Sequence, residues 1–558
     1  MTPQDLIAAF DTLAEAPNAA DRLRELVLQL AVRGKLVPQN PDDEPAEQLL
    51  ERARQSRLQL VASGEIRAKR LPRLATDELP HEVPAGWAWA QIADCAHDLG
   101  QGEPTSRFSY VDVSAIDNEK GTIGETVAVI EPADAPSRAR KRVGRGCVIY
   151  STVRPYLNNI AVLDREFDPE PIVSTAFSVL MPHEGISARY LYFYLRSPVF
   201  VDYVNAKQKG VAYPAINDGD FQQGYVPVPP AAEQRRIVAR VEELMGLLDR
   251  LEAARDARET TRQALRDSAL AALQQADTHE EVETAWQRIA ENIHDLFTTP
   301  ADIEPLRQTV LQLAVRGRLV PQNPNDEPAS ALVERAKTQL TAIAAAGRTR
   351  VGKDSTEYER DDALPDGWSW APLQHLVQFI DYRGKTPKKT ASGVRLLTAK
   401  NIKLGYISLE PEEFVTEADY EKLMTRGFPK EGDVLFTTEA PMGHAALVDL
   451  PEKFALAQRT INFHPLAEVN GAYLVILLLS PWFQAELAER ATGMTATGIK
   501  AAKLRLIRVP VPPDREQHRI VAQIKDLMGL VDNLEKRLAA QRDIHDAFAA
   551  AAVHHLET

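Results

Sequence analysis

Cysteine is nearly absent from this chain: Cys95 and Cys147 are the two in 558 residues. Two thiols cannot build a disulfide framework or a thiolate zinc site, and a reducing cytoplasm is the expected compartment. Long apolar runs are missing as well. The most apolar window, residues 473–483, is about eleven residues long and reads as a buried helix, because spanning a bilayer takes ~20. The N-terminal MTPQDL carries neither a basic stretch nor a long apolar run, so no signal peptide is expected. Positive charge is not in excess: the formal net charge is −14, which argues against a non-specific nucleic-acid binder, since phosphate attraction needs net or local positive charge. What is present excludes disorder. A chain that is 44% hydrophobic and 26% charged has enough apolar surface for a core, and its length predicts three or four compact domains at ~100–200 residues each.

Internal repetition organises the chain. Residues 24–54 return at 307–337 with about 23 of 31 positions identical, an offset of 283. A second segment, VPVPPAAEQRRIVARVEELMGLLDRLE from Val226, returns from Val509 as VPVPPDREQHRIVAQIKDLMGLVDNLE at the same offset of 283. Two copies of one unit therefore tile the protein, each a shared box, a variable stretch and a shared helix. The variable stretches keep only echoes of one another: Trp87 and Trp89 match Trp368 and Trp370, and residues 146–152 resemble 432–438. A common frame with different inserts suggests two related tasks on non-identical targets.

After each VPVPP the apolar residues fall on a heptad seam. Ile237, Val241, Leu244, Leu248 and Leu251 form the first, and Ile520, Ile524, Leu527, Val531, Leu534 and Leu538 the second. Such a seam calls for a partner helix. Two equivalent helices in one chain point to mutual antiparallel pairing, and packing of each on its own domain is the alternative. Prolines at 227, 229, 230 and at 510, 512, 513 fix where the helices begin. Gly34 and Gly317 fit the C-terminal stop of a helix in each box. In the variable stretches, residues 127–130, 147–150, 172–180 and 434–438 look like buried strands, whereas 190–204 and 473–490 look helical.

No catalytic constellation stands out. Gly384-Lys385-Thr386 imitates the end of a phosphate loop, but Phe379 stands where its first glycine belongs. There is no Asn/Asp-Pro-Pro-aromatic tetrad for amino methylation, no glycine-rich strand-to-helix turn for a cofactor, and no metal-ligand spacing among the histidines. Catalysis within this chain is not expected, nor is a metal.

The variable stretches instead carry donor-rich clusters suited to a nucleic-acid backbone and base edges. Lys and Arg pair with phosphates, Arg bridges guanine, and Asn or Gln bridges adenine. The second stretch has Arg383, Lys385, Thr386, Lys388 and Lys389 on one basic loop, followed by Arg395, Thr398, Lys400, Asn401 and Lys403. In the first, Gln101 and Thr105 occupy the equivalent place, followed by Arg107, Ser109 and Tyr110. A basic run follows at Arg138, Arg140, Lys141, Arg142 and Arg145, and then Arg154, Tyr156 and Asn158 on one loop. Late in each stretch a glycine-punctuated loop recurs, carrying Lys207, Lys209 and Tyr213 in the first and Thr495 and Lys500 in the second. Such a loop is either a further DNA contact or simply a turn. Charge divides unevenly: residues 86–230 hold 13 Lys+Arg against 17 Asp+Glu, and residues 367–513 hold 17 against 15. Most of the acidity thus lies outside the candidate readers.

The LQLAVRGKLVPQNP box, the VPVPP…EQ-x-RIV helix opening and their duplication resemble the specificity subunit of type I restriction–modification systems. Residues 396–402, 432–438 and 457–460 are similar to that family's target-recognition domains. The resemblance implies an α+β chain with an internal pseudo-two-fold repeat: two α/β target-recognition domains separated by two long helices pairing as an antiparallel coiled coil. Its division would be an N-terminal helical region at 1–85, recognition domains at 86–230 and 367–513, a central region with spacer helix and second box at 231–366, and a C-terminal helix at 514–558. Each recognition domain would read half of a split double-stranded DNA sequence. The helices would dock two modification (methyltransferase) subunits. Those partners would bring S-adenosylmethionine, and restriction or translocase subunits would bring ATP and magnesium; this chain would bind neither cofactor. The basic loop at 383–389 is not shared by the first domain. Two alternatives stay open, a recognition subunit serving one fused methylase–nuclease partner and a repeat scaffold that never touches DNA.

Overall fold

The computed structural model describes residues 19–66, 79–210, 213–347, 349, 352, 363–381, 387–457, 459–492 and 497–557. It divides into two compact units, Met1–Ala257 with Arg542–Thr558, and Arg258–Gln541. Helix and strand are mixed in both.

In the first unit the box folds as helices Ala19–Val32 and Ala46–Ala62. Gly34 stops the former in the left-handed region, at φ 69°. A Cβ there would lie 2.4 Å from Pro84 Cγ, so the turn is glycine for space as well as for backbone freedom. The chain enters the variable stretch through strand Ala88–Gln91 and leaves it through Tyr225–Val228. These pair antiparallel, Ala88 opposite Val228 and Gln91 opposite Tyr225. Between them lie two four-stranded sheets. One is antiparallel, in the order Ala96–His97, Phe177–Pro182, Val148–Ser151, Ile160–Val162. The other runs Ala128–Ile130, Phe108–Val111, Pro171–Ser174, Ala139–Arg142, with its central pair parallel.

The second unit repeats this plan. Helices Ile303–Val315 and Ala329–Ala345 form its box, and strands Ser369–Pro372 and Arg508–Val511 its ribbon. The antiparallel sheet runs Val377–Asp381, Thr460–Pro465, Val434–Thr438, Met442–Leu447, the same order as in the first unit. The other sheet has three strands, Phe414–Val415, Val394–Leu397, Phe454–Leu456, again with the last two parallel. Among the described residues it has no strand matching Ala139–Arg142.

The sequence repeat has a physical reason: the two repeated segments of a unit fold onto each other. Arg24 donates to Asp249 at 2.8 Å and to Glu252 at 2.6 Å, as Arg307 donates to Asp532 at 2.8 Å and Glu535 at 2.9 Å. Arg236 pairs with Asp43 at 2.6 Å, and Arg519 with Asp326 at 2.9 Å. The indole Nε1 of Trp87 donates to Glu233 at 3.0 Å, and that of Trp368 to Glu516 at 3.1 Å. The amide carbonyl of Gln234 accepts from Ser187 N, and that of Gln517 from Asn470 N. The first part of each seam is spent here: Ile237, Val241, Leu244 and Leu248 are buried in one core cluster with Leu23, Leu26, Val27 and Leu30 of the box.

Several expected elements differ. Residues 172–180 are two strands in two sheets, because the turn at Thr175-Ala176 is captured by Arg138 O and Thr152 N. Strand Ala128–Ile130 is exposed rather than buried, since it is a sheet edge. The helices expected at 190–204 and 473–490 are each broken in two, Ala188–Leu195 with Pro198–Lys207 and Gly471–Leu479 with Pro481–Arg490. A proline begins each second piece, where its missing N–H costs nothing. No single described helix is long and apolar enough to cross a membrane.

Candidate nucleic-acid interface

Two loops of the first unit, distant in sequence, make one edge. Strand Val148–Ser151 runs into Arg154, which sits in the left-handed region at φ 49° and is followed by a short turn, Pro155–Leu157. Asn158, at φ 50°, closes that turn. The late loop comes back alongside: Arg154 N donates to Pro214 O at 2.7 Å, Ile216 N to Thr152 O at 3.0 Å, and Lys209 and Ala215 exchange backbone hydrogen bonds at 2.9 Å. The Arg154 guanidinium lies 4.7 Å from the Tyr213 ring centre. Tyr213 and Tyr156 are 69% and 52% exposed, large aromatic surfaces that the fold does not use. Lys207 and Lys209 are exposed beside them. Guanidinium, tyrosine hydroxyls and amines on one edge suit contact with the phosphates of a duplex.

The basic run at 138–142 contains strand Ala139–Arg142, which has no counterpart among the described residues of the second unit. Alternation along a strand sends successive side chains to opposite faces, so the run does not act as one patch. Arg138 and Arg142 are exposed and Arg140 is half-buried. Arg140 pairs with Glu103 at 2.8 Å. Lys141 points inward, its side chain 7% exposed, and bonds Asp98 at 2.7 Å with Asp218 at 3.6 Å. It is therefore a tie between loops and not a phosphate contact, a correction to the expectation from its sequence neighbours. The tie is useful, because Asp98 precedes Gln101, which bridges Lys141 through the backbone, and Asp218 follows the late loop. Gln101, Arg138, Arg142, Arg154, Tyr156, Lys207, Lys209 and Tyr213 thus belong to one connected set of loops. Thr105 and Arg107 are exposed, and Arg107 lies beside Glu131 at 3.7 Å. Asn158 turns its Oδ1 into the protein, where the atom is buried without a partner. In this rotamer it does not offer the bidentate amide that adenine requires, a second correction.

In the second unit Lys388 and Lys400 are exposed and Lys389 pairs with Glu413 at 2.6 Å. Arg395 is held between Glu412 at 3.1 Å and Glu452 at 2.9 Å, and these carboxylates raise its pKa, the Glu452 hydrogen bond most of all. Asn401 is wholly buried. Its Oδ1 accepts from Thr398 N, and its Nδ2 donates to Ser408 O and Pro411 O at 3.0 and 3.1 Å. The amide is consumed in shaping the loop, so Asn401 is not a base reader. The loop it shapes presents Leu404 and Tyr406, both largely exposed, just after Lys400 and Lys403 in the chain; an aromatic following two lysines was the sequence signal for them. Lys500 is exposed at the start of helix Ala501–Leu506. Arg383, Lys385, Thr386 and Thr495 lie outside the described residues.

Among the described residues no three His, Cys, Asp or Glu side chains are grouped to hold a metal. Cys95 and Cys147 are both buried, and burial pushes the Cys147 thiol up to about 11, far from a reactive thiolate.

The family model described as the type I restriction modification DNA specificity domain matches residues 149–258 and 367–541. The type I restriction enzyme EcoAI specificity subunit of Escherichia coli is 30% identical over 563 residues, covering 96% of this chain and 94% of its own. The EcoEI specificity subunit of the same species is 30% identical over 566 residues, with the same coverage of 96% and 94%. A chain from a solved structure of type I R-M complex assembly and conformational transition superposes with a TM-score of 0.50 at 24% identity, covering 86% of this chain and 99% of that one, and shares its fold.

Proposed function

The chain belongs to the type I restriction modification DNA specificity family, and from that membership we propose that it reads a split, asymmetric DNA target, one half with each unit. The loop edge carries this proposal. Thr152–Ile216 in the first unit and Thr438–Ile499 in the second are joined by the same backbone hydrogen bond, each at 3.0 Å. Around that bond the frame is alike and the side chains differ. A common frame meets the duplex in a common way through its phosphates, whereas different side chains ask for different bases.

The two long helices, Ala231–Gln275 and Asp514–Glu557, pair antiparallel as a coiled-coil spacer in this proposal, giving the chain a pseudo-two-fold axis. Support comes from their heptad spacing and from the second unit, where Leu270 and Leu273 share a core cluster with Ile524, Leu527, Val531, Leu534 and Leu538. Such a pseudo-dimer would set the half-sites about one helical turn apart, ~34 Å, as in two-fold DNA readers. The recognition domains are residues 86–230 and 367–513, and the framework around them docks two modification subunits, with restriction or translocase subunits beyond. The chain itself is non-catalytic and cytoplasmic. S-adenosylmethionine, and ATP with magnesium, bind the partners.

The test is binding by the chain assembled with its modification subunit. Affinity for one split sequence should exceed that for random duplex by at least about 1000-fold, the lower end of the range for specific readers. Equal binding to all duplexes, or to none, would refute the proposal.

A further inference from the structure

The loop edge of the second unit repeats the backbone bridges of the first, yet its cation stands elsewhere. Gly498 is bridged by Glu439 and by Thr492, as Ala215 is by Val153 and Lys209. Ala440 takes φ 47° where Arg154 takes 49°. The facing turn also corresponds. Thr438 donates through N and Oγ1 to Arg459 O at 2.9 and 3.2 Å, as Thr152 does to Ala176 O at 2.9 and 2.9 Å. The first unit therefore sets an arginine, Arg154, across from Ala176, and the second sets Ala440 across from an arginine, Arg459.

Arg459 is held at φ 64°, in the left-handed region that a non-glycine residue rarely adopts. Among the described residues its charge partner is Glu439, at 3.4 Å. That distance is long for a charge-assisted hydrogen bond, which closes to about 2.7–2.9 Å. The side chains are 50% and 35% exposed, and so exposed a pair is held only weakly. A strained backbone, a loosely engaged guanidinium and a neighbouring carboxylate are thus carried on the edge already assigned to DNA.

We propose that Arg459 and Glu439 together read one G·C base pair of the second half-site in the major groove. Arg459 donates to guanine O6 and N7, and Glu439 accepts from the N4 amino group of the paired cytosine. Within a G·C pair O6 and N4 are hydrogen-bonded neighbours about 2.9 Å apart. A donor and an acceptor 3.4 Å apart on the protein face them in order. An A·T pair also sets an acceptor beside an amino donor, but it gives the guanidinium one acceptor instead of two and places a methyl group next to it. The inference rests on the DNA-reading function proposed above and names the residues that perform it in this unit.

The experiment uses the full chain assembled with its modification subunit and competing duplexes in which every position of both half-sites is varied in turn. Glu439→Gln and Arg459→Lys should each lose discrimination about 10- to 100-fold at one position, a G·C pair in the half-site of the second unit. The other half-site should be read as before, which also shows that the variants are folded. Because Arg459→Lys keeps its charge, the salt dependence should not change. If both variants retain full discrimination at every position, or lose it at an A·T pair, the assignment is wrong. If the unaltered chain prefers no sequence at all, the DNA-reading function falls, and this assignment with it.

Discussion

Neighbouring residues of one basic run take different jobs, and strand alternation decides which. Arg142 is exposed, while Lys141 is buried between Asp98 and Asp218. Arg142→Ala should weaken binding across all sequences and lower the slope of log affinity against log salt by about one. Lys141→Ala should instead lower thermal stability by about 1–3 kcal/mol, because a buried interaction is lost and two carboxylates face each other unpaired. Salt titrations and thermal melts separate the two, and a Lys141→Ala variant that melts like the parent would remove its role as a tie. The sequence marked both as donors because a run of cations looks the same on a loop and on a strand. Asn401 shows the same limit: amide chemistry was evident, but the carbonyls of Ser408 and Pro411 that consume it become its neighbours only when the loop closes.

Elements were recoverable from sequence where period and punctuation agree. The box helices, their glycine stops, and the long helices after VPVPP all carry such signals, and all are present. The strand pairs at 172–180 and the helix breaks at Pro198 and Pro481 follow from tertiary hydrogen bonds and from a proline that a continuous apolar pattern obscures. Least visible was the lock between ribbon and helix. Glu516 accepts from Trp368 and from Gln322 at 3.1 Å. Burial pushes its pKa above the usual range, and the hydrogen bonds oppose this only in part. A carboxyl whose folded pKa is raised contributes stability below its ordinary value of 4.5 and loses it as pH rises through the folded value. At neutral pH the buried charge is therefore a cost. Glu516→Gln keeps an acceptor for the indole and removes the charge, so its melting temperature should exceed the parent's at pH 7, with the gap closing towards pH 4. A gap that is constant across that range would mean the carboxyl does not titrate as its burial implies.

At the scale of the whole molecule, repetition and divergence divide the labour. The frame is written twice, in ion pairs that recur residue for residue 283 positions apart. The inserts share strand order but not charge, 13 Lys+Arg against 17 Asp+Glu in residues 86–230 and 17 against 15 in residues 367–513. If the first binds DNA as proposed, it does so through the cations local to its loop edge and not through its net charge. Exchanging residues 86–230 for those of a relative should change one half-site and leave the other as it was, read by mapping methylated positions in a host carrying the system. A change in both half-sites would contradict independent readers.

The ribbon that opens and closes each variable stretch has a consequence for how such a chain acquires new specificities. Gln91 lies directly opposite Tyr225, and Pro372 opposite Arg508; antiparallel partners stand only about 4.5–5.5 Å apart. To the framework, a whole domain has the footprint of a hairpin turn. Two crossovers between related genes, one in each ribbon strand, would transplant that domain intact, with the Trp87–Glu233 or Trp368–Glu516 lock rebuilt from framework residues. The similarity of the repeated boxes, with about 23 of 31 positions identical, offers recombination the same register within a single gene, and such an event would write one recognition domain into both halves.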